Sequence, residues 1–395
     1  MRSLRQGIHV ATWFVATLLA LDVGIGAIFR APAEIGGVQP NALQRYFNYG
    51  RSVEGKLRQI IGPTDDVSSP LARAGWLEPE SWRSLASHPK FEGGMLVAIY
   101  GSSFAQDVGR AMASMEPDLA VRFVGGPAAP VSHSYTAYML DRNQYEGQVV
   151  VMGILASSVR GLRTMTGLTW MFERPCPYTY PRYVITDGTL RAIWPSIRTL
   201  PDMRGAESDE ARWSSFTKDL QRWDDYYDPV LFREGLLDSS IIARLARRAW
   251  GQRHEKRLTD DVHDSSGFKL DTSTKTLLRA IVSEFIREVR GDGRIPVALL
   301  LEDQGYGGHL VALLTPLLRE ECVWTVSSDS IVSASDPKNF VPDGHFTESA
   351  TRQVSEVTMR VIASAIRARK RSDNGGCPPE VELSLTHVPT DRGLP

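Results

Sequence analysis

Cysteine is scarce in this sequence, and an excess of charge of one sign is missing. Cys176, Cys322 and Cys377 are its three cysteines, and none has the C-x-x-C or Cys/His spacing of a zinc or iron–sulfur site. No resident metal is expected. Two arrangements stay open for the thiols: one disulfide plus a free thiol in an oxidising space, or three unpaired thiols. The 45 Lys and Arg residues offset 46 Asp and Glu, leaving a formal net charge of −1. No field of one sign steers the molecule toward nucleic acid, and no nucleic-acid partner is expected. No internal repeat is visible, which argues against solenoids and propellers.

What is present begins with one long apolar run. Residues Gly7–Phe29 read GIHVATWFVATLLALDVGIGAIF, about the 20 residues needed to cross a hydrocarbon core. Arg2 and Arg5 precede it, so the positive-inside rule places the N-terminus in the cytoplasm and the remainder outside. The run exceeds the apolar core of a signal peptide, and Arg30-Ala31-Pro32 offers no cleavage site of the small-x-small kind. A retained anchor is expected. Asp22 inside the run has two readings: it reaches the outer interface, or it contacts another membrane protein.

Apolar residues make up 42% of the chain, enough for a well-buried core. Short apolar runs alternate with amphipathic stretches. GGMLVAIYGSS, LAVRFVGG, GQVVVMGIL, IPVALLLED and CVWTVSS read as strands. DVGRAMASM, SHSYTAYMLDR, STKTLLRAIVSEFIREVR, GGHLVALLTPLLREE and a final stretch to about Arg367 read as helices. Such alternation predicts an α/β fold, a parallel sheet with helices on both faces. The pattern lapses between about Glu173 and Gly293, where a strand (Tyr183–Ile185), an acidic aromatic patch (WDDYYDP) and a basic helix (IIARLARRAWGQRHEKR) occur. Arg244, Arg247 and Arg248 share one face of that helix, which is either solvated or turned to anionic headgroups or a partner. These signals divide the chain into a stub and anchor over 1–30, a membrane-proximal segment over 31–94, an α/β domain over 95–367 with an insertion at about 173–293, and a tail over 368–395 expected to be disordered.

Two loops carry chemistry. In YGSSFAQD a strand runs through Gly101 into two serines that open a helix, where backbone N–H groups face any developing anion. In FVPDGHFTESA, Asp343 and His345 stand two apart just before a helix capped near Thr347. A serine nucleophile needs a base within hydrogen-bond reach and an acid to orient that base, and these two loops could supply all three. His133 and His309 also stand near helix starts close to strand ends. The acidic cluster Asp224, Asp225 and Asp228 could act as paired carboxylates, although such a patch beside tyrosines more often forms a turn.

With those residues in place, the chain resembles the SGNH/GDSL hydrolase superfamily, and more narrowly the membrane-anchored SGNH-like proteins of bacterial exopolysaccharide modification. Gly101-Ser102-Ser103 matches the first block and Asp343-Gly344-His345 the last, and RYFNYGRSVEGKL and PVSHSYTAY are similar to the anchored subgroup. The resemblance covers roughly 40–170 and 275–365. It implies a flavodoxin-like three-layer parallel sheet behind an N-terminal transmembrane helix, with Ser103 as nucleophile, His345 as base and Asp343 as its orienting acid. Gly125 or Gly126 would give an oxyanion N–H. The third block of the family supplies an Asn, whereas MGILASSVRG has none; Ser157 or Ser158 is the substitute donor, and His133 could line the same pocket. The resemblance implies no cofactor, an esterase or O-acyltransferase acting on O-acyl groups of a polysaccharide outside the cytoplasm, or a silent SGNH-fold scaffold that binds glycan. It also implies a bacterial inner-membrane location; a membrane protein as a further partner is the expectation from Asp22 alone.

Overall fold

A computed structural model describes residues 2–29, 41–269 and 272–371 of the chain. The expected tail falls mostly outside them, as does Cys377. The labelled elements, in chain order, are α1 (Arg2–Ile28), α2 (Ala42–Asn48), β1 (Met95–Ser102), α3 (Ser103–Met115), β2 (Leu119–Gly126), α4 (Val131–Asp141) and β3 (Val149–Leu155). They continue as β4 (Arg182–Thr186), β5 (Thr189–Ile193), α5 (Ile241–Asp260), α6 (Thr272–Gly291), β6 (Ile295–Leu301), α7 (His309–Glu320), β7 (Trp324–Ser327) and α8 (Glu348–Arg371). The chain forms two compact units, one made of Met1–Ala74, Thr164–Thr179 and Pro195–Asp260, the other of Gly75–Arg163, Tyr180–Trp194 and Asp261–Pro395.

The second unit is the expected α/β body. Its five strands lie in the order β2-β1-β3-β6-β7 and pair in parallel throughout, the doubly wound 2-1-3-4-5 arrangement with its switch point between β1 and β3. The sequence predicts this because β1, β3 and β6 are near-continuous apolar runs, buried on both faces. Right-handed crossovers then place α3 and α4 on opposite faces. α3 packs with α8 over β1 and β2, while α4 packs with α6. Between the sheet and the α3/α8 layer lie Val97, Ile99, Val108, Met112, Val354 and Ile362, all at most 2% exposed.

Glycine controls how closely the strands meet at the carboxyl end of the sheet. Gly101 stands opposite Gly125 across β1 and β2. A Cβ added at Gly125 would sit 1.9 Å from the Gly101 carbonyl oxygen, and one at Gly101 would sit 2.8 Å from Ala105 Cβ and 2.9 Å from the Gly153 oxygen. Only glycine lets three strand ends and the first turn of α3 crowd together.

One polar network lies under this sheet. The Arg122 guanidinium, 1% exposed, donates to both Asp141 carboxylate oxygens at 2.6 and 2.7 Å. Tyr100 donates to the same carboxylate at 2.8 Å, and Arg122 also reaches the Trp82 and Ala86 carbonyls at 3.1 Å. The charge survives burial because its donors are paired. The sequence reading of LAVRFVGG as a plain strand does not anticipate it. The strand expected at Tyr183–Ile185 is one arm of the hairpin β4–β5: Asp187 and Gly188, with φ of 52° and 73°, turn the chain back on itself.

In the first unit several sequence expectations give way. Arg244, Arg247 and Arg248 form neither a solvated face nor one open to headgroups. Arg247, 4% exposed, pairs with Asp238 at 2.7 Å; Arg248 pairs with Glu173 at 2.8 Å; Arg244 donates to the Asp238 carbonyl at 2.7 Å. Asp224 is no exposed carboxylate either: it accepts from Met165 N, Thr169 Oγ1 and Tyr226 N at 2.9–3.0 Å. Asp228 caps the helix that begins at Pro229. Cys176 is free and buried, while Cys322, in the second unit, is disulfide-bonded.

Removing the partner of a buried guanidinium should be far more costly than removing a surface pair. Asp141→Ala is expected to destabilise the protein by about 3–5 kcal/mol in denaturant unfolding, whereas Glu80→Ala, which breaks the exposed Arg83 pair, should change it by under about 0.5 kcal/mol.

Candidate active site

β1 delivers Ser103 to the first position of α3, with Ser102 at the N-cap and its side chain making no cap hydrogen bond. The first N–H groups of a helix have no partner within it, so the Ser103 hydroxyl stands beside free backbone donors. The other half of the site comes from the loop before α8. Val341 N donates to the His345 carbonyl and Gly344 N to the Val341 carbonyl, each at 2.8 Å, and Phe340 bridges Phe346 antiparallel. Gly344 has a φ of +94°, left-handed backbone that a side chain would strain. This tight turn folds Asp343 against His345.

The two loops meet. Ser103 Oγ lies 2.7 Å from His345 Nε2, across 242 positions of chain. His345 Nδ1 lies 3.1 Å from Asp343 Oδ1, which also accepts the His345 backbone N–H at 3.1 Å. An ionised carboxylate only accepts hydrogen bonds, so Nδ1 carries the proton and Nε2 is left to accept from the serine hydroxyl. Phe104, the residue after the serine, stacks on the imidazole with centroids 4.8 Å apart and planes 20° apart, and Phe346 meets Phe104 edge-on at 5.1 Å. The sequence reading passed over Phe104. Its only signal was its place beside the candidate nucleophile.

Other residues singled out in the sequence lie apart from this chain of bonds. Gly125 and Gly126 end β2 beside Gly101 and Ser102, and the turn that follows holds Ala128 at a φ of +49°. Ser158 is fully buried, and its hydroxyl donates to the Leu155 carbonyl at 2.8 Å. Ser157 N donates to Asp303 Oδ1 at 3.0 Å, and burial raises the pKa of that carboxyl. His133 is fully buried, its Nε2 2.7 Å from the Gly75 carbonyl; burial lowers its pKa to about 4. It is a neutral interior residue, not a pocket lining. His309 pairs through Nδ1 with His263 Nε2 at 2.8 Å.

Glu302, at the end of β6, is a carboxylate the sequence reading did not single out. It is fully buried, and its Oε1 accepts from Leu310 N and Val311 N at 2.7 and 3.1 Å, capping α7. Its Oε2 is buried with no hydrogen-bond partner among the described residues. Burial outweighs the two N–H donors and pushes its pKa up to about 7.

Comparison with protein-family models finds no match, and comparison with curated proteins finds none. The fold is similar to that of a candidate acylhydrolase from Bacteroides fragilis NCTC 9343, solved at 2.00 Å, with a TM-score of 0.38 and 8% identity over 73% of this chain and 95% of that one. The likeness is distant.

Two outcomes are expected from these side chains. Gly344→Ala should strain the Asp343–His345 turn, cutting the rate of Ser103 modification by a serine-directed fluorophosphonate at least tenfold while costing about 1 kcal/mol of stability. Glu302, with its folded-state pKa raised above the unfolded value, holds a proton in the folded state that the unfolded chain loses at about pH 4.3. Its contribution therefore weakens as pH rises from there through 7. Melting temperatures of wild type and Glu302→Gln between pH 5 and 8 should diverge, the wild type losing more toward pH 8.

Proposed function

We propose that this chain is a serine-dependent acyl-transfer enzyme of SGNH type, an esterase or O-acyltransferase working on O-acyl, foremost acetyl, groups of a polysaccharide outside the cytoplasm. The observation that carries the reading is the continuous hydrogen-bond chain Ser103–His345–Asp343 at 2.7 and 3.1 Å. His345 Nε2 takes the hydroxyl proton as Ser103 Oγ bonds to the ester carbonyl carbon. The backbone N–H groups of Ser103 and of Gly125 or Gly126 stabilise the oxyanion. The intermediate then expels the sugar alkoxide, which takes the proton from His345. The acyl group on Ser103 passes next to water or to another hydroxyl, whose proton returns through His345. No cofactor enters this scheme.

α1 is long and apolar enough to cross a membrane over Gln6–Ile28; it is a membrane anchor or a signal sequence. In our reading it is a retained single-pass anchor in a bacterial inner membrane, with the N-terminus cytoplasmic. Arg2 and Arg5 favour that orientation, and the disulfide at Cys322 fits an oxidising space.

One observation favours a second reading, a catalytically silent SGNH-like scaffold that binds glycan. The Ser158 hydroxyl is taken up by the Leu155 carbonyl and the Ser157 side chain by the Asp303 carboxyl, so both serines expected to replace the block-three Asn are engaged elsewhere, a deficit worth roughly 10²–10³ in turnover. A fluorophosphonate probe and acetylated model glycans separate the two. Labelling of wild type, abolished in Ser103→Ala, with acetate release lowered at least 10³-fold in His345→Ala, is the expected result. Glycan binding with neither labelling nor acetate release would establish the scaffold instead.

A further inference from the structure

Asp22 is the one charged residue between Gln6 and Ile28, and its carboxylate is bonded within the chain. Its Oδ1 accepts from Ser240 Oγ at 3.0 Å and from Ile242 N at 2.8 Å. The carboxylate thus caps the start of α5, where N–H groups lack helical partners and the dipole favours a negative charge. On the last turns of α1 the partly covered positions are Leu18, Asp22, Ile25, Gly26 and Phe29, a stripe at helical spacing. A Cβ at Gly26 would meet Ile241 at 3.6 Å, and the Phe29 ring meets that of Phe47 of α2 at a tilt, with centroids 5.3 Å apart. Val23 and Ile28, on either flank of this stripe, are each 71% exposed and apolar.

These contacts fix a depth. A 23-residue span is roughly 34 Å long, against a hydrocarbon core of about 30 Å. Asp22 lies six residues before Ile28, roughly 9 Å below the outer end of the helix. Whatever binds Asp22 must come down to it. The residues that do so are flanked by Leu236 and Leu237, 92% and 50% exposed, and by Leu43 and Tyr46 of α2, 54% and 45% exposed. Exposed leucines on the short 3-10 turn (Leu236–Ser239) that leads directly into Ser240, the residue bound to Asp22, need an apolar medium, and tyrosine is at home at the headgroup level.

We propose that this unit is seated in the outer leaflet of the bilayer, with Leu236 and Leu237 inserted at the headgroup–acyl boundary beside α1 and with α2 lying along the surface. Asp22 is then no unpaired charge in lipid but the bond that holds the seat to the span. The inference rests on α1 being a retained span. It also makes removal of α1 costly, since Ile242 N would lose its acceptor, leaving Ser240 Oγ, which accepts from Ala243 N at 3.0 Å, as the side-chain cap of α5.

The test uses the purified full chain in nanodiscs of phosphatidylethanolamine and phosphatidylglycerol. An environment-sensitive fluorophore is attached through Leu236→Cys or, separately, Thr17→Cys; both sites are exposed, so the fold should tolerate them. The expected result is at least twofold quenching at position 236 by lipid nitroxides near the headgroup, with shielding from aqueous iodide. Quenching at position 17 should come instead from nitroxides deep in the acyl chain. Iodide quenching at 236 without lipid quenching, while 17 behaves as a span, overturns the seating alone. Shielding of 236 from both quenchers means that protein covers the loop and overturns it too. Absence of lipid quenching at both positions removes the span and the seating together.

Discussion

Close approach of backbone at one end of the sheet is the constraint on which the candidate site depends. Gly101, Gly125 and Gly153 leave no room for side chains, so β1, β2 and β3 crowd together and α3 begins directly on them. Ser103 is therefore delivered to a helix N-terminus at the switch point of a doubly wound sheet, where ligands of such folds bind. A wider junction would set the serine back from the loop that carries His345.

The other half of the site is a short-range device joined to a long-range one. Gly344 permits the turn that brings Asp343 Oδ1 to the imidazole, and that much is local. The Ser103–His345 bond is not local: it requires α8 to pack over α3, which the buried Val354, Ile362, Val108 and Met112 achieve together. Phe104 and Phe346 add aromatic contacts that hold the ring. Packing and chemistry here share the same side chains.

In the first unit, carboxylates do structural work that their exposure in the sequence would not suggest. Asp22, Asp224, Asp228 and Asp238 each accept backbone N–H groups, and Arg247 balances the last of them. Buried anions persist when donors surround them. The same rule explains why Asp224 and the arginines of α5, read as surface features, turn inward, while Asp225 stays exposed on the turn.

Much of the second unit was legible from pattern alone. Continuous apolar runs bounded by glycine gave away β1, β3 and β6, and amphipathic spacing gave away α6 and α8, because burial on one or two faces leaves a periodic mark. The residue types and order of Ser103, Asp343 and His345 were also readable, since loop ends at a parallel sheet are few. What sequence could not decide was which groups meet. The Arg122–Asp141 pair, the Glu302 cap, the Phe104 stack and the Asp22 bond to Ser240 join residues whose contact leaves no period and no motif. Such pairings depend on distances between elements, and only tertiary packing sets those.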